Sequence, residues 1–168
     1  MFEIGDYIVY GNNGVCEVKE ITAMQMKGID SEKLYYKLIP VENSKSTFFT
    51  PVDNKAVVMR RMLTKGDAQT LIDKVPTLLP LPIPDDKQRE EIYKSAMKSC
   101  DPSEWFRIII TLYNRKQERI RQGKKTTSVD DRYYKQVESN LYGELSLALG
   151  IEKDEIIGYV KGKLDVAV

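Results

Sequence analysis

The first 60 residues consist of short apolar runs separated by turn residues, which is the pattern of a β-rich domain. In residues Val15–Ile21, apolar and polar positions alternate with the period of two that a half-buried strand shows. The cluster at residues 11–14 reads Gly-Asn-Asn-Gly and predicts a turn, because both residue types tolerate positive φ. The predicted strands are Tyr7–Tyr10, Val15–Ile21, Lys33–Pro40 and Thr47–Val52. Four or five such strands in this length predict a small, bent antiparallel barrel.

From residue 61 onward the apolar positions follow the period of helices instead. Asp101, Pro102 and Glu104 form a helix start: a capping side chain, a proline at the first position and an acid at the third. Trp105 then begins an apolar stripe at helical spacing, so we expect it in the core. The predicted helices cover residues 67–75, 85 or 86 to about 99, 101–125, 127 or 128 to 149, and 154–164.

The predicted fold class is therefore α+β, with a β-barrel head over residues 1–60 followed by a helical bundle tail over residues 61–168. Within the tail, the proline-rich run 76–84 cannot be a helix interior and predicts a semi-rigid, extended connector. We expect its leucines to pack on a neighbouring helix. Such a connector could also permit exchange of domains between two chains and so a homodimer.

Composition argues against an enzyme and against a metal or cofactor. The chain has no histidine, which removes Ser-His and Cys-His catalysis and the commonest metal ligand. No carboxylate pair stands out, although carboxylate chemistry stays a third alternative. Cys16 and Cys100 are far apart and predict two reduced, buried thiols in a cytoplasmic protein. The N-terminus lacks the features of a signal peptide, and no run is long and apolar enough for a membrane helix.

Two segments carry candidate binding chemistry. Met24 and Met26 are apolar residues beside a loop, next to Lys27; they either fill the barrel core or lie on an edge strand open to a partner's strand. The net charge is only +1, so attraction to nucleic acid requires a local patch. One segment qualifies, since six cations oppose Glu118 alone: Arg115, Lys116, Arg119, Arg121, Lys124 and Lys125. This segment is either a solvated helix end or a contact for phosphates.

The order and spacing of several short strings resemble the CarD family of bacterial RNA-polymerase-binding transcription regulators (CarD/CdnL type). The resemblance extends over nearly the whole chain. In the head it rests on residues 2–10, 14–15, 27–28, 35–38 and 51–54, and in the tail on residues 115–119 and 141–145. A translocase with a similar head is excluded, because the chain is short and lacks a Walker motif.

The resemblance implies a role for each part. The head would be a Tudor-like domain that pairs with the lobe of the polymerase β subunit through an exposed strand at Met24–Lys27, beside a strand at Phe48–Thr50. The residues implied at this contact are Met24, Gln25, Met26, Lys27, Phe48, Phe49 and Thr50. The tail would lie on promoter DNA near the −10 element, through contacts to the backbone that do not depend on sequence, and would stabilise the open complex. The residues implied there are Lys87, Arg89, Arg119, Arg121, Lys124, Lys125 and Arg132.

The sequence departs from the family pattern at two places. Many members insert a tryptophan into the minor groove from the start of the first tail helix, whereas that position falls here on Asp86. Basic head residues of some members fall here on Met24 and Phe49, which implies a more apolar polymerase contact. The sequence leaves open whether a wedge exists, and whether the protein activates or represses a given promoter. The alternative is a protein-binding module with little or no direct DNA contact.

Overall fold

The computed structural model describes the backbone of residues 1–166 and the side chains of residues 1–165. The contacts between residues divide the chain into two compact units, Met1–Met62 and the part from Leu63 onward. The first unit is a five-stranded sheet and the second contains five α-helices, which confirms the α+β class. The strands are β1 (Tyr7–Tyr10), β2 (Val15–Ala23), β3 (Leu34–Pro40), β4 (Phe48–Pro51) and β5 (Met59–Arg61). The helices are α1 (Lys65–Lys74), α2 (Arg89–Lys98), α3 (Pro102–Arg121), α4 (Ser128–Leu149) and α5 (Lys153–Val166).

The sheet is antiparallel and open. Its strand order is β4-β3-β2-β1-β5, so β4 and β5 form the two margins and the predicted closure into a barrel is not observed. One face carries the core of this unit, because alternate residues of each strand point to it. The buried members of that core are Ile8, Cys16, Val18, Tyr36 and Leu38. The Tyr36 hydroxyl also accepts a hydrogen bond from the Phe2 N–H at 2.9 Å, which holds the N-terminal segment against the sheet.

Local capping signals define the ends of the long helices. The Asp101 side chain accepts from the Ser103 N–H at 2.8 Å and begins α3, as predicted. Thr127 caps α4 in the same way, and Gly150 ends it with φ of +68°. The predicted helix start at Asp85 or Asp86 is instead a short 3-10 turn, Asp86–Gln88, capped by Asp85, and α2 follows it.

Helix α3 is the centre of the helical unit. Trp105 is fully buried, as predicted, and its indole N–H donates to the Met97 carbonyl at 3.2 Å. Burial does not follow a single stripe, however, because α2 and α4 pack against α3 and the proline-rich connector also contacts it. The buried hydrophobic residues of α3 are Trp105, Phe106, Ile108, Ile109, Ile110 and Leu112. The helix is therefore apolar on nearly all sides over residues 105–112, whereas its second half is polar and mostly exposed.

The proline-rich connector is bonded to α3. Arg107 donates to the carbonyls of Leu79 and Pro80 at 3.0 and 3.4 Å, and the Leu81 N–H donates to the Thr111 hydroxyl at 2.8 Å. Leu81 is buried, as expected of the connector leucines, but Leu79 is 73% exposed, so that expectation is wrong for Leu79. Exchange of domains through this connector would first have to break these bonds.

Candidate functional site

Strand β4 forms an open margin of the sheet. It pairs only with β3, and the Val52 N–H donates to the Leu34 carbonyl at 3.0 Å just beyond the strand. In an antiparallel ladder the bonded pairs alternate along the strand, so Thr50 and Phe48 bond to β3 while Phe49 does not. The N–H and C=O of Phe49 therefore point away from the sheet.

A proline restricts what this margin can bind. Pro51 has the same outward orientation as Phe49, and proline has no N–H to donate. Phe49 is therefore the one residue of β4 that offers an outward backbone donor, and this residue is 44% exposed. Across the ladder Phe49 faces Lys37, which pairs with Glu20 at 2.9 Å. The margin thus presents one position for backbone pairing, an apolar ring, and a lysine whose charge is already balanced by a glutamate.

The segment Met24–Lys27 is not the exposed strand that the resemblance implied. Strand β2 makes its last pair at Ala23 and the chain then leaves the sheet, with a turn at Lys27 and Gly28, whose φ is +89°. An L side chain rarely adopts that φ, so the backbone needed for the turn is incompatible with a continuing strand. Met26 is 58% exposed and is therefore not a core residue, whereas Met24 is half-buried.

Strand β5 is the second margin, and it was not predicted from the sequence. Its three residues pair with β1, and Arg61 forms an ion pair with Asp6 at 3.2 Å. A run of three residues is too short to show a period of two. The only signal was the apolar segment 57–59 that precedes the two arginines.

The basic segment at the end of α3 is less free than its sequence suggests. Arg119 donates to the Lys125 carbonyl at 2.6 Å and so closes the turn after the helix. Arg121 pairs with Glu118 at 3.2 Å. Lys124 and Lys125 are exposed and pair with no acid among the side chains that the structure describes. These two lysines are the members of the segment that are available to an external anion.

Arg89 and Arg132 are also predicted DNA contacts that have acidic partners. Arg132 pairs with Glu90 at 2.5 Å, and Arg89 donates to Asp86 at 2.9 Å. Lys87, between the two acidic partners in sequence, is exposed. The predicted cations therefore differ in their surroundings. Three are in intramolecular ion pairs, one donates to a backbone carbonyl, and three are exposed lysines; in that order they are Arg89, Arg121 and Arg132, then Arg119, then Lys87, Lys124 and Lys125.

A polar network links α2, α3 and α4. Arg115 donates from Nε to Asp130 at 2.6 Å, and the Tyr93 hydroxyl donates to the other oxygen of that carboxylate at 3.3 Å. Arg89 in turn donates to the Tyr93 oxygen at 2.8 Å. Burial raises the pKa of Tyr93 above its ordinary value, so its hydroxyl stays protonated and remains a donor. Arg115 is thus held in position by the buried side chain of Asp130.

The helical unit also contains a cleft. A cleft of about 340 Å³ lies between α3, α4 and α5, but its charges are mixed, with Lys116 and Lys161 near Asp131 and Glu138. Within the described residues, His, Cys, Asp and Glu form no group of three that could hold a metal ion. Among the helices of residues 1–166, none combines the length and the apolar character needed to cross a membrane.

Comparison with known proteins gives a similarity for the first unit. No curated protein matches the chain. Residues 2–63, however, match a family model described as the CarD-like/TRCF RID domain, and this range ends one residue beyond the first compact unit. The N-terminal unit is therefore similar to the CarD-like/TRCF RID domain, and this match supports a polymerase-binding role for it.

Proposed function

We propose that this protein is a transcription regulator that binds the RNA polymerase β subunit through its sheet unit and stabilises the promoter open complex through its helical unit. The observation that carries the proposal is the match of residues 2–63 to the CarD-like/TRCF RID domain, together with the open margin at β4 in the same residues. On this proposal the protein acts by binding, without catalysis or a cofactor, in the cytoplasm.

The β4 margin supports a contact with another protein's strand. An exposed strand edge offers backbone donors and acceptors, and a partner that adds a strand satisfies them. Phe49 contributes both the outward backbone groups and an exposed ring. Because the facing Lys37 is already paired with Glu20, the contact is mainly apolar and backbone-mediated.

The two exposed lysines after α3 support a contact with DNA. Lys124 and Lys125 have no acidic partner in the described part of the chain, and a phosphate contact requires only clustered cations. A protein that binds melted DNA better than closed duplex stabilises the open complex by the difference between the two binding free energies. A modest preference suffices, since each 1.4 kcal/mol or so shifts the equilibrium about tenfold.

A protein-binding module with little direct DNA contact is the second candidate. The intramolecular ion pairs of Arg89 and Arg132 favour it, because each engages a cation that the family resemblance assigned to DNA. The two candidates agree on polymerase binding and differ in the role of the lysines.

One experiment separates the candidates. Binding of the full chain to purified polymerase is measured by pull-down, and the lifetime of the promoter open complex is measured with the same proteins. The test variant carries Lys124→Glu and Lys125→Glu, and the control carries Lys94→Glu and Lys98→Glu, two exposed lysines of α2. Both variants change the charge equally.

The proposal predicts that both variants retain polymerase but that the test variant alone loses the lifetime effect. The DNA affinity of the test variant should also depend less on salt. The slope of the logarithm of its binding constant against the logarithm of salt concentration should be smaller in magnitude by about 2. Equal lifetimes with the wild-type chain and the test variant would favour the second candidate. Failure of the wild-type chain to retain polymerase would overturn both.

A further inference from the structure

One carboxylate oxygen of Asp86 collects donors from two arginines. Its Oδ1 accepts from Arg89 Nε at 3.2 Å and from Arg89 Nη2 at 2.9 Å. The same atom accepts from Arg115 Nη1 at 3.4 Å. A single anionic oxygen thus lies at the meeting point of two guanidinium groups, an arrangement that guanidinium groups also form around a phosphate oxygen.

The two arginines are held in place by groups other than Asp86. Arg89 donates from Nη1 to Tyr93, and Arg115 donates from Nε to Asp130, whose side chain is only 9% exposed. The side chains of Arg89 and Arg115 are themselves only 17% and 21% exposed. Their donors therefore keep their positions when the Asp86 carboxylate moves away, so the site is preorganised.

Asp86 itself is easily displaced. Its side chain is 76% exposed and belongs to the short 3-10 turn that precedes α2, so it can rotate into solvent without opening the core. Hydrogen bonds from Arg89, with the charges of Arg89 and Arg115, hold the pKa of Asp86 below its ordinary value. The carboxylate is therefore charged at neutral pH and competes fully with any incoming anion.

We propose that Arg89 and Arg115 form a binding site for a DNA backbone phosphate, and that Asp86 occupies this site as a built-in counter-ion in the free protein. The proposal rests on the proposed DNA contact and deepens it. With Asp86 in place the two arginines are balanced by Asp86 and Asp130, whereas its departure leaves one net positive charge facing solvent beside the exposed Lys87. Asp86 thus weakens the phosphate contact and makes it reversible.

The test removes the counter-ion and keeps its shape. Asp86→Asn is made in the full chain, and Glu91→Gln is the control, since it removes one negative charge from the exposed surface of α2 without touching either arginine. Binding to a fluorescent DNA duplex with a central non-complementary bubble is measured by anisotropy at several salt concentrations. Asp86→Ser is a second variant that removes the charge should Asn disturb the turn, and thermal melting checks the fold of each protein.

We expect Asp86→Asn to bind roughly three- to tenfold more tightly than Glu91→Gln, with a logarithmic salt slope steeper by about 1. Adding Arg89→Gln to Asp86→Asn should remove the gain. Equal affinity of Asp86→Asn and Glu91→Gln would overturn the inference, whether or not the wild-type chain binds. Binding by Asp86→Asn but not by the wild-type chain would support the inference and overturn the proposed DNA contact of the unmodified protein.

Discussion

Replacing Phe49 with proline tests the open margin at β4 through a single backbone atom. The register places the Phe49 N–H outward, where it contributes nothing to pairing with β3. Proline removes this donor and is tolerated on an edge strand, as Pro51 already shows two residues later. Phe49→Ala is the matched control, because it removes the ring and keeps the N–H.

The magnitude of each effect follows from the structure. Phe49 is 44% exposed, and on a residue of about 200 Å² that fraction is roughly 90 Å² of mainly apolar surface. Covering it in a complex is worth at most about 2 kcal/mol at ~25 cal/mol per Å². Loss of one backbone hydrogen bond to a partner adds about 0.5 to 1.5 kcal/mol, or a further two- to twelvefold in Kd.

Polymerase affinity, measured by surface plasmon resonance, should therefore fall in the order wild type, Phe49→Ala, Phe49→Pro. Thermal melting of Phe49→Pro should match that of Phe49→Ala, since the removed N–H has no partner within the sheet. Equal affinities of the two variants would refute strand pairing through β4 and leave only a ring contact. Equal affinities of all three proteins would exclude β4 as the docking margin.

Two further predictions concern stability. Glu144 is fully buried and accepts from the Leu63 N–H at 2.9 Å, so Glu144→Ala should lower the free energy of unfolding by about 2 to 4 kcal/mol in urea titration. Glu144→Gln keeps an acceptor for the Leu63 N–H and should lower the free energy of unfolding by less. An equal loss in the two variants would show that this hydrogen bond does not cause the destabilisation. Burial raises the pKa of the Cys16 thiol from 9.0 to about 12, so the unfolded chain ionises first as pH rises and stability should fall above pH ~9. In Cys16→Ala the part of this fall that comes from the thiol should be missing. If the free energy of unfolding depended on pH identically in the two proteins, Cys16 would not be its cause.

Features governed by near neighbours could be predicted from the sequence. The caps at Asp101 and Thr127 and the stop at Gly150 each depend on hydrogen bonds within about one helical turn, which local residue types specify. The strands β1 to β4 were predicted to within two residues at each end, because period-two alternation is also local.

Which strand is open, and which cation is free, depended on pairing between distant residues. Asp86 and Arg115 are 29 residues apart in sequence, and the basic segment appeared unopposed until the fold brought Asp86 and Asp130 to Arg115. Likewise, the placement of β4 at a margin follows from the strand order, which no single strand encodes.

The sequence by itself therefore determined the kinds of elements, most of their limits and the resemblance of the first third to a polymerase-binding domain. Tertiary structure alone decided that Met24–Lys27 lies outside the sheet, that β4 is a margin and that Arg89 and Arg115 share one carboxylate oxygen. The physical reason is range: helix caps and strand periodicity are set by bonds between neighbours, whereas sheet edges and ion pairs exist only once distant segments meet.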